Sequence, residues 1–299
     1  MTRLLDDYGP HLARLAGEAL VDAVTASEGR VLLAEIMATA PPLLRGTANA
    51  ELAAALGADL ICCNMLDPLD REAVPPGLEG VEPAASGLTG LGRLLGRPVG
   101  LNLEPDIDSV PAAYRATADR VAAAADGGGA FVVVTANPAR GAAIADIASA
   151  VRTVRSTAPD LVCLAGKMHH SGRTEPLGPD IVEVLGAAGA HGVLVPVPGT
   201  LPGLSEATAG AMVTVAHTAG LLAIGTIGTS QEGADRQTVR RLAVTAKRIG
   251  VDIHHLGDAG LDGVAAPENI YAYSVAVRGV RHTWNRMARN VRASWGGPT

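Results

Sequence analysis

The chain has 299 residues, a formal net charge of −6, 48% hydrophobic residues and only 2% aromatic ones. So few aromatics leave no base-stacking platform, and the negative balance opposes a phosphate-tracking surface, which argues against nucleic acid as a partner. The longest apolar stretches are strand-sized, so no membrane span is expected. The length suits one large domain or two small ones, with enough apolar residues for a sizeable core.

The start, Met1-Thr-Arg-Leu-Leu-Asp-Asp, lacks a basic stretch followed by an apolar run, so no secretory signal is expected. Cys62, Cys63 and Cys163 are too few for a disulfide framework. They suit small core residues in a reducing cytoplasm.

A helix is predicted over Pro10–Thr25, ahead of the first strand. From residue 31 one pattern repeats eight times: a short apolar run, a polar or Gly/Pro break, then an Ala-rich amphipathic segment. The runs begin at Val31, Asp59, Pro98, Phe131, Leu161, Gly192, Leu221 and Asp252. Helices are predicted between them over Asn49–Leu56, Ala112–Ala125, Ile144–Ser156, Asp180–Ala188, Ser205–Thr218 and Ala234–Ile249. Strands alternating with helices imply parallel pairing through right-handed crossovers, and eight units fit a (β/α)8 TIM barrel. An open doubly wound sheet is the alternative, although no Gly-x-Gly-x-x-Gly follows the first strand and no other nucleotide-cofactor motif is visible. No linker interrupts residues 1–299, so they read as one domain. Residues 1–28 form a helical extension, and 267–299 a closing helix with a basic tail.

Alternation along strands sorts the side chains. It turns Glu35, Asn102, Glu104, Thr135 and Asn137 toward the barrel interior, with Asn64 near the end of its strand. In the fifth strand it puts Val162 and Leu164 on the helix side, with Cys163, Ala165, Lys167 and His169 inward. In the eighth it puts Val251 and Ile253 outward, Asp252 and His254 inward, Asp258 just past the end, and His255 on the helix side. These polar groups gather at strand C-termini, where barrel enzymes place their active sites.

Lys167 stands out because the chain has two lysines against twenty-two arginines. An amine can lose its proton and act as nucleophile or base, which a guanidinium cannot. A buried structural ammonium is the alternative. The catalytic candidates are therefore Lys167, Glu104, His169, His254 and Asp258.

The loops Gly225–Gly233 and Gly257–Gly260 follow the last two strands, a common place for substrate phosphate in barrels. Gly228, Thr229, Ser230, Gln231, Glu232 and Gly260, with Glu35, Asn64, Asn102 and Asn137, are the candidate substrate-binding residues. A capped Gly-rich turn is the alternative for those loops. Glu35, Glu104, His169 and His254 could hold a divalent metal through mixed carboxylate and imidazole ligands.

Several segments carry a resemblance: Ala26-Ser-Glu-Gly-Arg30, Gly100-Leu-Asn-Leu-Glu-Pro105, Ala165-Gly-Lys-Met-His169, Pro196-Val-Pro-Gly-Thr200, Gly228-Thr-Ser-Gln-Glu-Gly-Ala-Asp235, Asp252-Ile-His-His-Leu-Gly-Asp-Ala-Gly260 and Pro267-Glu-Asn-Ile-Tyr-Ala-Tyr-Ser274. Together they resemble a functionally unassigned family of bacterial TIM-barrel proteins loosely labelled phosphoenolpyruvate phosphonomutase-like or haloacid-dehalogenase-like. The resemblance spans nearly the whole chain and implies the barrel without supplying a reaction. The phosphonomutase Asp-x-Asp strand and Lys-Lys-Cys-Gly-His loop are absent, as is the dehalogenase Asp-x-Asp nucleophile. His170 and Ser171 stand where the resemblance implies small residues.

The expectation is a cytoplasmic enzyme acting on a small, phosphorylated carbonyl metabolite by a lyase or aldolase reaction, with Lys167 forming an imine or acting as base. An isomerase or a metal-dependent hydrolase is the alternative, and a non-catalytic sensor or scaffold barrel another. Homo-oligomerisation through residues 1–28 and 267–293 is also expected, because Leu12, Leu15, Leu20, Tyr271, Tyr273, Val277 and Trp284 offer apolar positions there.

Overall fold

A computed structural model describes residues 2–81, 86–137, 139–167 and 175–293. Eight parallel strands close into a barrel in sequence order: β1 (Val31–Met37), β2 (Leu60–Asn64), β3 (Val99–Leu103), β4 (Phe131–Val134), β5 (Val162–Gly166), β6 (Gly192–Pro196), β7 (Leu222–Ile227) and β8 (Ile253–Leu256), with β8 pairing back onto β1. The predicted (β/α)8 barrel is the observed fold. Ahead of it lie α1 (Gly9–Ala13) and α2 (Gly17–Thr25). Around it run α3 (Asn49–Ala55), α4 (Gly87–Leu95), α5 (Ala118–Asp126), α6 (Ile144–Thr157), α7 (Pro179–Ala187), α8 (Glu206–Thr218), α9 (Arg236–Ile249) and α10 (Pro267–Ala293).

Three helical expectations change. The helix over Pro10–Thr25 breaks into α1 and α2, with Gly17 at φ 54°. The helix expected from Ala112 starts only at Ala118. Residues 114–116 instead extend the β3 ladder: Glu104 N–H donates to Tyr114 O, and Ala116 N–H donates to Glu104 O. Helix α4 was not expected, because Gly87-Leu-Thr-Gly-Leu-Gly92 is a poor helix former; its leucines Leu88, Leu91 and Leu95 bury on one face and hold it by packing.

The strands separate two cores. The outer one joins Leu32, Ile36, Leu101, Val132, Cys163, Ala165 and Val195 to the helices. The inner one fills the lower barrel with Val31, Leu33, Leu60, Phe131, Val133, Val162, Leu164, Leu194, Ile224 and Ile253. Leu4, Leu12, Leu20 and Val24 join this inner core, so the N-terminal segment plugs the barrel bottom. Helix α10 fastens the plug: Arg286 donates to Leu4 O (2.8 Å) and Asp7 O (2.9 Å), and Arg289 donates to Asp6 O (3.1 Å). The terminal residues expected at an interface are thus largely spent within the chain. Leu12, Leu20, Tyr273 and Val277 are buried, and Trp284 is exposed.

Candidate active site

Interior alternation places polar residues in the upper barrel above an apolar floor. Inward-facing Val31 and Leu33 lead to Glu35, and Phe131 and Val133 lead to Thr135. Leu222 and Ile224 likewise lead to Thr226. Strand β3 turns Asn102 and Glu104 inward because Val99, Leu101 and Leu103 join the outer core.

Two strands run opposite to expectation. In β5, Val162 and Leu164 face the interior, while Cys163 and Ala165 face the helices. Both faces of a lower barrel strand are apolar, so hydrophobicity alone does not fix the phase. Lys167 lies one residue beyond Gly166, past the end of the strand. In β8 the expected pair is exchanged. His254 points outward, with Nδ1 3.1 Å from the Tyr273 hydroxyl and Nε2 3.1 Å from Gly29 O, and burial lowers its pKa to about 4. His255 points inward, its Nε2 3.0 Å from Glu35 Oε2. Val251 precedes the strand, which begins only at Ile253, so the phase cannot be carried through it.

The β1, β2, β7 and β8 side of the mouth is acidic. Glu35, His255 and Glu232 are almost fully buried. Asp258 follows β8 and accepts a 2.9 Å hydrogen bond from Asn64 Nδ2. Burial, then the Glu35 carboxylate, pushes its pKa up to about 6, against the bond from Asn64. Asn64 is itself fixed, since its Oδ1 accepts from Asn102 Nδ2 (3.2 Å) and from the N–H of Met65 (3.0 Å). Met65 takes a positive φ of 56°, uncommon for a residue with a side chain, so the chain turns sharply at the end of β2. Beyond this turn a cavity of about 470 Å³ borders the mouth, lined among others by Thr39, Met65, Val74 and Tyr114.

The β3–β5 side carries the cations. Glu104 accepts the backbone N–H (2.8 Å) and the side-chain amide (2.9 Å) of Asn137, and Arg140 Nε lies 3.6 Å away. Lys167 is 2% exposed, and its Nζ donates to Ala142 O (3.0 Å) and to Glu175 Oε2 (2.8 Å). Glu175 also accepts from the Ile144 N–H at the start of α6. The described carboxylate beside Lys167 is therefore Glu175; His169 and His170 lie outside the described residues.

The loops after β7 and β8 meet backbone to backbone: a Cβ added at Gly233 would fall 2.3 Å from Gly260 O. The glycines serve this approach. Ser230 adopts a left-handed φ of 74°, and Thr229 donates to Thr200 O and Gln231. Glu232 threads between the loops, and its Oε1 accepts the Ala259 N–H at 3.0 Å. Its carboxylate thus lies between the two loops at which a substrate phosphate was expected, taking up the Ala259 N–H.

The expected metal set is not assembled, because His254 faces away and Glu104 is engaged by Asn137. Among the described residues no group of three or more His, Cys, Asp or Glu could hold a metal ion. The upper interior does keep buried oxygens without hydrogen-bond partners: Glu35 Oε1, Asn102 Oδ1, Thr135 Oγ1, Thr226 Oγ1 and Glu232 Oε2. Such groups are costly unless a ligand or water completes them. Arg140, Glu175, Thr226 and His255 were missed as site residues. Only His255 left a usable sign, its adjacency to His254.

A family profile described as a domain of unknown function (DUF7916) matches residues 5–293. No curated protein matches the chain. Among solved structures, a Schiff-base-forming fructose-1,6-bisphosphate aldolase superposes with a TM-score of 0.54 at 13% identity, covering 84% of this chain and 96% of its own. A 2,3-dimethylmalate lyase of the PEP mutase/isocitrate lyase superfamily gives 0.52 at 14%, covering 95% and 100%. An oxaloacetate acetylhydrolase gives 0.50 at 14%, covering 94% and 99%. At these identities the likeness is one of fold. It agrees with the (β/α)8 barrel, and nothing in it supports the haloacid-dehalogenase label.

Proposed function

The chain belongs to this family of unassigned reaction, and we propose that it is a lyase of the aldolase type acting on a small carbonyl metabolite at the C-terminal mouth of the barrel. The observation that carries the reading is the buried Lys167 amine beside a carboxylate, in a ring of strand ends that also holds Asp258 with a pKa near 6.

In the proposed reaction the Lys167 ammonium gives a proton to Glu175. The free amine adds to the substrate carbonyl, and the carbinolamine loses water to leave a protonated imine. The imine draws electrons from the adjacent carbon–carbon bond, which breaks when a base takes the proton of the hydroxyl on the far carbon, and that fragment leaves as an aldehyde or ketone. Asp258 is that base, and it returns the proton to the enamine carbon; water then hydrolyses the protonated imine, releasing the second product and the Lys167 ammonium. Asn64 orients Asp258, and burial together with the Glu35 charge keeps its pKa near 6. Arg140 makes the β4–β5 side the place for the substrate's anionic group. The Glu232 carboxylate between the loops after β7 and β8 disfavours an anion on that side. The aldolase and dimethylmalate lyase folds support the class without specifying the substrate.

The test is borohydride trapping with pyruvate, oxaloacetate and dihydroxyacetone phosphate, read by mass spectrometry of peptides. A reduced adduct on Lys167 that is absent from Lys167→Arg supports the reading. Absence of any adduct with all three ends the imine route.

A further inference from the structure

We propose that the chain has a second ligand site, at the barrel end opposite the mouth, which takes a small amphipathic carboxylate. A cavity of about 560 Å³ lies there, walled by α1 and the turn after it, by α4, and by the turn joining α5 to β4. This is within the size of typical small-molecule sites, ~300–1,000 Å³. Its apolar wall comes from Pro10, Leu15, Leu88, Val99, Ala125 and Ala130. The charged side chains lining it are Arg14 and Arg93, both exposed, with no hydrogen bond or ion pair among the described residues. Most arginines elsewhere in the described chain are engaged, such as Arg115 with Asp106, Arg120 with Asp67 and Arg278 with Asp59.

Two free guanidiniums over an aliphatic wall match an anion joined to an apolar body. Guanidinium forks pair well with carboxylates, and the body would displace water from the leucines and alanines. Gly92, Gly128 and Gly129 line the cavity, and Gly128 lets the turn before β4 pack closely on α4, since a Cβ there would lie 2.1 Å from Thr89 Oγ1. The site is built partly from the segment that plugs the barrel: Leu15 packs against the inner core, and Val99 begins β3. A ligand there would hold plug, α4 and barrel together. The mouth contributes none of these residues, so the site is independent of the proposed lyase reaction.

The test is isothermal titration of the full chain with octanoate and with 4-phenylbutyrate, which separate an aliphatic from an aromatic body, and with octylamine as the charge-reversed control. Binding of either acid but not of the amine, weakened about tenfold or more in Arg14→Ser/Arg93→Ser, supports the site. Failure of both acids at millimolar concentration overturns it, as does equal binding to that variant or to octylamine. If the double variant melts early, Arg14→Gln and Arg93→Gln are measured singly, because both side chains are exposed and unpaired.

Discussion

The barrel's two charged regions are built on opposite rules. Behind the lower strands, Asp59 is fully buried and paired with cations: it accepts the Leu32 N–H at 2.8 Å and faces Arg278 and, at 2.6 Å, Arg286. Arg97, also buried, donates to Ala58 O and Gly96 O. Around the mouth, Glu35, Glu232 and Asp258 crowd together with His255 beside them, and buried oxygens go unpartnered. The first arrangement holds the terminal segments to the barrel. The second carries unfavourable electrostatics that a structural role does not require, and a substrate could relieve them.

Breaking the ion-paired region should have the largest effect. Asp59→Ala leaves the buried Arg278 and Arg286 guanidiniums without their carboxylate, and losing one partner of such a cluster costs about 3–5 kcal/mol. Urea denaturation should show a midpoint lowered to match, or a chain that does not fold. An unchanged midpoint would mean that the carbonyl partners alone hold the arginines.

The mouth should respond in the other direction. Glu232→Gln keeps an oxygen to accept the Ala259 N–H and removes one of the charges that raise the Asp258 pKa. Stability should rise by about 0.5–1 kcal/mol, the scale of relieving a like-charge contact, while turnover falls. A lower melting temperature would show the acidic cluster to be structurally balanced.

How far the sequence reveals each region follows from the same contrast. The barrel was readable because the strand and helix periods alternate eight times. The inward set Glu35, Asn102, Glu104 and Thr135 was readable because a polar residue alternates with apolar ones on those strands. Strands β5 and β8 were not, since Val162 to Ala165 is apolar on both faces and His254-His255 offers an imidazole to either side. The loop glycines suggested a phosphate cradle, yet Gly233 and Gly260 are small so that two backbones can touch. That partner is remote in sequence, and so is Glu175, the carboxylate beside Lys167.

Asp258 gives a pH signature of smaller size. Its folded pKa, about 6, lies above the ordinary carboxyl value of 3.8. The folded state therefore binds more protons than the unfolded state between these values. The resulting contribution to stability is fully present below about pH 4 and is lost as pH rises through about 6. Asp258→Asn should flatten this part of the stability profile. If Asp258 is the working base, the acid limb of kcat/KM in the wild type should fall near pH 6. A flat wild-type profile across this window would remove the acidic cluster's influence on Asp258.

The smallest effect concerns the surface of the lower region. Homo-oligomerisation was expected from apolar positions at the two ends of the chain, but Leu12, Leu20, Tyr273 and Val277 are buried within it. Among the described side chains of α10, the large apolar ones left exposed are Val280 at 46% and Trp284 at 58%, on the segment that follows the kink at Gly279. Two side chains fall well short of the more than ~1,000 Å² that a stable interface buries. Trp284 Nε1 also already donates to the Tyr271 hydroxyl at 3.0 Å. Light scattering at micromolar concentration should give the mass of one chain, unchanged on dilution, and Trp284→Glu should shift stability by less than about 0.5 kcal/mol. A larger mass that Trp284→Glu returns to that of one chain would make this helix face an interface after all.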